Sequence, residues 1–214
     1  MDAQARFDAI LAIMKLGAVI PVLTVRSVED GVRQARALVA GGLPAIEVTL
    51  RTPVALAAIA AIARDVPGAQ VGAGTILDPE HIGPAIAAGA KFLVSPGTSP
   101  ALAKAAAAAP IPFLPGIATP SEAMTLRALG FRALKLFPAE SVGGAKLLAS
   151  IHAPIPDLMF CPTGGIDAAK APSYLSLPNV PCVGGSWMLP KAALEAGDYA
   201  AVEKAAREAA ALRH

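Results

Sequence analysis

The sequence predicts an α/β fold: a closed (β/α)8 barrel of the TIM type with an additional N-terminal helix. Three observations carry that expectation. Apolar runs of strand length alternate with alanine-rich helical stretches along the 214 residues. No linker-like segment separates the units. The polar residues that interrupt the apolar runs gather at the carboxyl ends of those runs. Buried strands separated by helices form parallel sheets covered on their faces. Eight such units in this length fit one barrel with short loops. An open doubly wound sheet is the alternative. The chain reads as one domain, 1–214, in which about residues 1–16 form the N-terminal helix.

After an amphipathic helix at about 2–15, strand-like runs occur near 18–25, 44–50, 69–73, 91–95, 111–115, 131–137, 157–161 and 180–184. Helices are expected at 28–40, 53–64, 79–88, 100–109 and 120–129, and a further helix at 190–213. Pro53, Pro79, Pro100 and Pro120 open helices, because a first-turn residue needs no N–H partner. Gly41-Gly42, Gly89 and Gly130 close them, as left-handed helix caps favour glycine. The alanine run 105–109 lies in a helical context and reads as helix.

Composition narrows the function. Hydrophobic residues make up 55% of the chain, but Gly, Pro and charges interrupt them, and no apolar stretch has membrane-spanning length. Residues Met1 to Phe7 include an acid and lack a basic-then-apolar signal pattern, so a cytoplasmic protein is expected. Lys+Arg 18 against Asp+Glu 16 gives +2 without a basic run, which argues against a nucleic-acid partner. Cys161 and Cys182 lie in apolar runs and read as small core residues. His81, His152 and His214 match no metal spacing, and no metal or cofactor is expected.

The chemistry starts at Lys135, inside the apolar run 131–137. Alternation puts Ala133, Lys135 and Phe137 on one face of that strand, with Leu134 and Leu136 on the other. Desolvation favours the neutral amine, a nucleophile toward carbonyls; otherwise the stem packs inside and the head reaches solvent. Glu47, Thr49 and Arg51 share a face of the second strand, while Ile46, Val48 and Leu50 face the helices. A carboxylate there either moves protons or pairs with a cation, Arg51 being the candidate partner. If free of Glu47, Arg51 would hold a substrate carboxylate through a forked contact. Gly72-Ala73-Gly74-Thr75, Ser95-Pro96-Gly97 and Pro115-Gly116 end the next three strands. Gly164, Gly165, Gly185 and Ser186 end the last two, where barrels commonly hold phosphate on backbone N–H groups. Tight strand-to-helix turns are the alternative explanation for those glycines, but two pairs on neighbouring strands favour phosphate binding.

These residues give the chain a dense resemblance to the 2-keto-3-deoxy-6-phosphogluconate (KDPG) and 4-hydroxy-2-oxoglutarate aldolase family, class I pyruvate aldolases. The motifs are Ile20-Pro21-Val22, Glu47-Val48-Thr49-Leu50-Arg51-Thr52, Val71-Gly72-Ala73-Gly74-Thr75, Ser95-Pro96-Gly97 and Pro115-Gly116-Ile117. They continue as Lys135-Leu136-Phe137-Pro138-Ala139-Glu140, Cys161-Pro162-Thr163-Gly164-Gly165-Ile166 and Gly184-Gly185-Ser186-Trp187. The resemblance implies a (β/α)8 barrel, a homotrimer and a small-molecule substrate, a phosphorylated 2-keto acid split into pyruvate and an aldehyde. It makes Lys135 the Schiff-base lysine and Glu47 the acid/base. Arg51 and Thr75 would bind the pyruvate half, Pro96 and Phe137 would shape its pocket, and Thr163 would touch the substrate beside the phosphate loop. Gly164, Gly165, Gly185 and Ser186 would hold the phosphate.

The activity this implies is reversible cleavage of KDPG to pyruvate and D-glyceraldehyde 3-phosphate in the Entner–Doudoroff pathway. Cleavage of 4-hydroxy-2-oxoglutarate or of the 6-phosphogalactonate epimer is the near alternative. A non-catalytic phosphosugar-binding barrel and a metal-dependent pyruvate aldolase are the alternatives of other classes.

Overall fold

The structure, a computed structural model, describes residues 1–212. Helix α1 (Ala3–Met14) precedes β1 (Val19–Leu23), α2 (Val28–Ala40), β2 (Ala45–Thr49), α3 (Ala55–Asp65) and β3 (Gln70–Gly74). Next come α4 (Ile82–Ala87), β4 (Leu93–Val94), α5 (Pro100–Ala107), β5 (Phe113–Leu114), β6 (Gly116–Ile117) and α6 (Pro120–Ala128). The chain continues with β7 (Ala133–Leu136), α7 (Gly144–His152), β8 (Met159–Pro162), α8 (Ala171–Leu175), β9 (Val183–Gly185), α9 (Lys191–Ala196) and α10 (Tyr199–Ala210). His214, the third histidine, lies outside the described residues, as does Arg213 at the end of the expected last helix.

The strands pair in parallel as a six-stranded sheet, β5-β4-β3-β2-β1-β9, and a three-stranded sheet, β6-β7-β8. A parallel bridge between Thr163 and Gly184 links the β8 side of the second sheet to β9 of the first. Strand β5 falls within the expected fifth strand, 111–115, whereas β6, just past Pro115, was not expected. Proline brings no N–H to a ladder, yet its carbonyl accepts Lys135 N–H at 2.8 Å, so the neighbouring strand stays in register.

Alternation sorts the strand residues into two cores. Leu23, Ile46, Val48, Val71, Leu134 and Leu136 pack outward into the cluster that includes the helices. Ile20, Ala45, Phe92, Val94, Leu114, Ala133, Cys161 and Cys182 turn the other way into a second cluster, joined by Ile10 and Met14 of α1. Helix α1 thus covers the inner core near the strands' amino ends. Two residues beyond Ala45 and Ala133 on the same faces come Glu47 and Lys135, so the polar pair sits on an apolar floor. Each large side chain buried in these cores contributes about 1.5–3 kcal/mol.

Local chemistry sets the helix ends. Pro79, Pro100 and Pro120 stand at helix starts as expected, although residues 79–88 begin as a short 3-10 turn before α4. Pro53 lies ahead of α3, which starts at Ala55. Thr119 and Glu122 form a reciprocal capping box on α6. Gly42, Gly89 and Gly130 adopt φ of 91°, 92° and 86°, the left-handed caps expected of them. Gly41 does not: its φ is −78°, and its role is close packing, since a Cβ there would lie 2.5 Å from Ala206 Cβ. The stretch expected as one helix at 190–213 is two, because Gly197 turns left-handed and Asp198 caps α10. Among the described residues no helix is long and apolar enough to cross a membrane.

Candidate active site

Glu47 is the third residue of β2 and Lys135 the third of β7. Across the fold, Lys135 Nζ lies 3.1 Å from Oε1 and 3.2 Å from Oε2 of Glu47. The residues are 5% and 4% exposed. Burying either charge alone would be costly; together they form a charge-assisted, two-pronged contact. The alternative in which the lysine head reaches solvent is overturned by this burial. The Phe137 ring centroid is 5.7 Å from Nζ, the aromatic neighbour expected from alternation. Glycine at 74 on β3 makes room for the carboxylate, since a Cβ there would fall 2.1 Å from Glu47 Oε1.

Arg51 does not pair with Glu47. Its Nε donates to Thr75 Oγ1 at 3.2 Å, and the side chain is exposed at the carboxyl ends of β2 and β3. Thr75 has φ of 61°, a left-handed conformation that a β-branched residue seldom adopts. That turn is what aims its hydroxyl at Arg51. The guanidinium and hydroxyl together present hydrogen-bond donors suited to a small carboxylate.

Two buried hydroxyls, Thr49 on the Glu47 face and Ser95 of Ser95-Pro96-Gly97, had no role expected from the sequence. Thr49, fully buried, donates from Oγ1 to Leu23 O at 2.8 Å and sits 3.1 Å from Thr24 Oγ1. Ser95, also fully buried, accepts Gly116 N–H at 3.0 Å and lies 3.0 Å from Thr98 Oγ1, which donates to Gly116 O at 3.1 Å. This network ties the Pro96 loop onto β6. Gly116 permits the approach, because a Cβ there would meet the Pro96 carbonyl carbon at 2.3 Å. A hydroxyl directly before a strand-ending Pro-Gly was the available signal for Ser95.

Thr163, 7% exposed, follows β8 and bridges to Gly184, whose missing side chain leaves space for the threonine hydroxyl 2.2 Å from where a Cβ would stand. That bridge sets the two glycine pairs side by side. Gly164 and Gly165 have φ of 105° and 77°, in the left-handed region open to glycine. At Gly185 a Cβ would lie 2.0 Å from the Trp187 ring, so only glycine fits under the indole. Ser186 is exposed beside it. Among the described residues no cluster of three or more His, Cys, Asp or Glu is arranged to hold a metal.

Parallel strands wrapped in helices, with an amine and a carboxylate buried in contact near the strands' carboxyl ends, define a carbon–carbon lyase of the aldolase class. The chain belongs to the KDPG and KHG aldolase family, whose model matches residues 10–205. It is 50% identical over 198 residues to the KHG/KDPG aldolase of Escherichia coli K12, covering 92% of this chain and 93% of that protein. The solved KDPG aldolase of Zymomonas mobilis ZM4 with 3-phosphoglycerate superposes with a TM-score of 0.91 at 44% identity, over 97% of this chain and 98% of that one. The Legionella pneumophila KDPG aldolase, with pyruvate captured as a covalent carbinolamine, gives a TM-score of 0.90 at 39% identity, over 93% of this chain and 97% of that one.

Proposed function

We propose that this chain is a class I aldolase that reversibly cleaves KDPG to pyruvate and D-glyceraldehyde 3-phosphate, the Entner–Doudoroff reaction. The observation that carries the proposal is the buried contact between Lys135 Nζ and the Glu47 carboxylate. The two groups are close enough for direct proton exchange, the first requirement for freeing the amine. Neutral Lys135 attacks the C2 ketone to give a carbinolamine, and loss of water leaves a protonated imine. Glu47, directly or through a water, takes the C4 hydroxyl proton. The C3–C4 bond then breaks, its electrons pass toward the imine nitrogen, and the aldehyde leaves. Glu47 returns a proton to C3 of the enamine, and hydrolysis releases pyruvate and regenerates Lys135.

Arg51 and Thr75 hold the pyruvate carboxylate, Pro96 and Phe137 bound its pocket, and Thr163 contacts the hydroxylated carbons. Gly164, Gly165, Gly185 and Ser186 hold the phosphate on backbone N–H groups. The relative solved with 3-phosphoglycerate supports a phosphorylated ligand, and the relative named for both KHG and KDPG supports 4-hydroxy-2-oxoglutarate cleavage as a second activity.

The two sheets read as one closed (β/α)8 barrel, with α1 additional to it, and residues 1–214 as a single domain. The inner cluster, fed by strands of both sheets, supports that reading. The assembly is a cytoplasmic homotrimer, which sizing in solution tests. The function itself is tested by borohydride reduction with pyruvate, followed by intact mass and peptide mapping. A reduced adduct on Lys135 is expected; a folded protein that gains none in excess pyruvate would contradict the imine mechanism. Comparison of kcat/KM for KDPG, its galactonate epimer and 4-hydroxy-2-oxoglutarate then ranks the substrates.

A further inference from the structure

Glu140 closes the Phe137-Pro138-Ala139-Glu140 segment but takes no part in the proposed chemistry. Its carboxylate is held from two sides. The hydroxyl of buried Tyr174 donates to Oε1, and Lys170 Nζ lies 3.1 Å from Oε2. The same ammonium donates to Gly165 O at 2.8 Å. From the other direction, Glu140 N–H donates to Gly164 O at 3.2 Å. The carbonyls of both loop glycines are therefore committed to one pair of residues. Gly165 also rests against the Glu140 side chain, for a Cβ on it would fall 2.8 Å from Glu140 Cγ.

This arrangement matters for an anion loop. Backbone N–H groups attract phosphate, but a carbonyl turned the same way repels it. Glycines at positive φ rotate more freely than any other residue, so their peptide planes need to be held. The Tyr174 hydrogen bond, and then Lys170, keep the Glu140 carboxyl below its ordinary range, so the clamp is charged at neutral pH.

We propose that Glu140, Lys170 and Tyr174 form a positioning clamp that fixes the Gly164–Gly165 peptides with their carbonyls tied back. The clamp thereby sets the preference for phosphorylated over unphosphorylated 2-keto-3-deoxy acids. The proposal rests on the reading of Gly164 and Gly165 as phosphate ligands. None of the three clamp residues is a catalytic residue; they act through the loop.

The test compares kcat and KM for KDPG and for unphosphorylated 2-keto-3-deoxygluconate in the parent, Lys170→Met, Glu140→Gln and Lys170→Arg proteins. Lys170→Met and Glu140→Gln should raise KM for KDPG about tenfold with little change in kcat, the scale of one charge-assisted contact. The unphosphorylated substrate should keep its kcat/KM within about twofold, and Lys170→Arg, which keeps a cationic donor, should stay nearer the parent than Lys170→Met does. A KM for KDPG that stays put, or one that rises equally for both substrates, overturns the clamp. A parent enzyme with no preference for the phosphorylated substrate overturns the phosphate reading itself, and the clamp with it. If Glu140→Gln fails to fold, the half-exposed Lys170 carries the test.

Discussion

Glu47 fills the space that a side chain on Gly74 would need: a Cβ there would lie 2.1 Å from Oε1 and 2.6 Å from Cδ of the carboxylate. The neighbouring strand therefore fixes where the carboxylate stands relative to Lys135. Gly74→Ala should push Glu47 out of its contact with Nζ and lower kcat by about a hundredfold, the cost of an ångström-scale misplacement. Turnover within about threefold of the parent would show that Glu47 works from another position.

Lys135→Met should reduce turnover to below about one per cent of the parent, since the nucleophile is gone. It should also destabilise the fold, by up to about 3–5 kcal/mol, because Glu47 is left as a buried charge without its partner. Adding Glu47→Gln should recover part of that stability without recovering activity. Urea unfolding of the single and double variants measures this, and a double variant no more stable than Lys135→Met would contradict the pairing argument.

Thr75 separates conformation from function. Its φ of 61° is unfavourable for a threonine and open to glycine. Thr75→Gly should leave stability within about 1 kcal/mol of the parent, since lost strain offsets the added freedom of the unfolded chain. The same change removes the oxygen that receives Arg51 Nε, so the pyruvate concentration needed for adduct formation should rise severalfold. An unchanged pyruvate dependence would separate Thr75 from carboxylate binding.

Acid sensitivity should have an identifiable component in the α6 cap. Ala118 N–H, foremost, and the Thr119 hydroxyl and N–H hold the Glu122 carboxyl below its ordinary value of 4.5. The unfolded chain takes up the proton more readily than the folded one. The stabilisation is therefore complete above pH 4.5 and lost as pH falls through the lower folded value. Thermal melts across that range should show a shallower acid decline for Glu122→Gln than for the parent. Thr119→Ala should cost about 1 kcal/mol at neutral pH, the usual size of a lost N-cap.

The strand and helix order was legible because parallel, doubly buried strands leave uninterrupted apolar runs, and glycine and proline punctuate the helices between them. The facing of Glu47 and Lys135 was legible too, because strand alternation is strict: Ile46, Val48, Leu134 and Leu136 do turn outward. Less visible were features that depend on a neighbour distant in sequence. Pro115, expected to end the fifth strand, is followed at once by the short β6, and Gly41 looks like a cap but serves the packing of α10 against α2. The Ser95 and Thr49 hydroxyls gain their roles only from carbonyls and N–H groups on adjoining strands.

The alternating elements, the faces of the strands and the motifs that carry the family follow from periodic or local properties of the chain. Tertiary structure decided who pairs with whom. Lys135 and Glu47 are 88 residues apart in sequence, and Arg51 is close enough to Glu47 in the chain to have been its partner. Parallel pairing of β2 with β3 turned Arg51 to Thr75, and the packing of the two sheets around a shared inner core delivered Lys135 to Glu47. Charge recognition depends on distance in space, and only the packed strands set that distance.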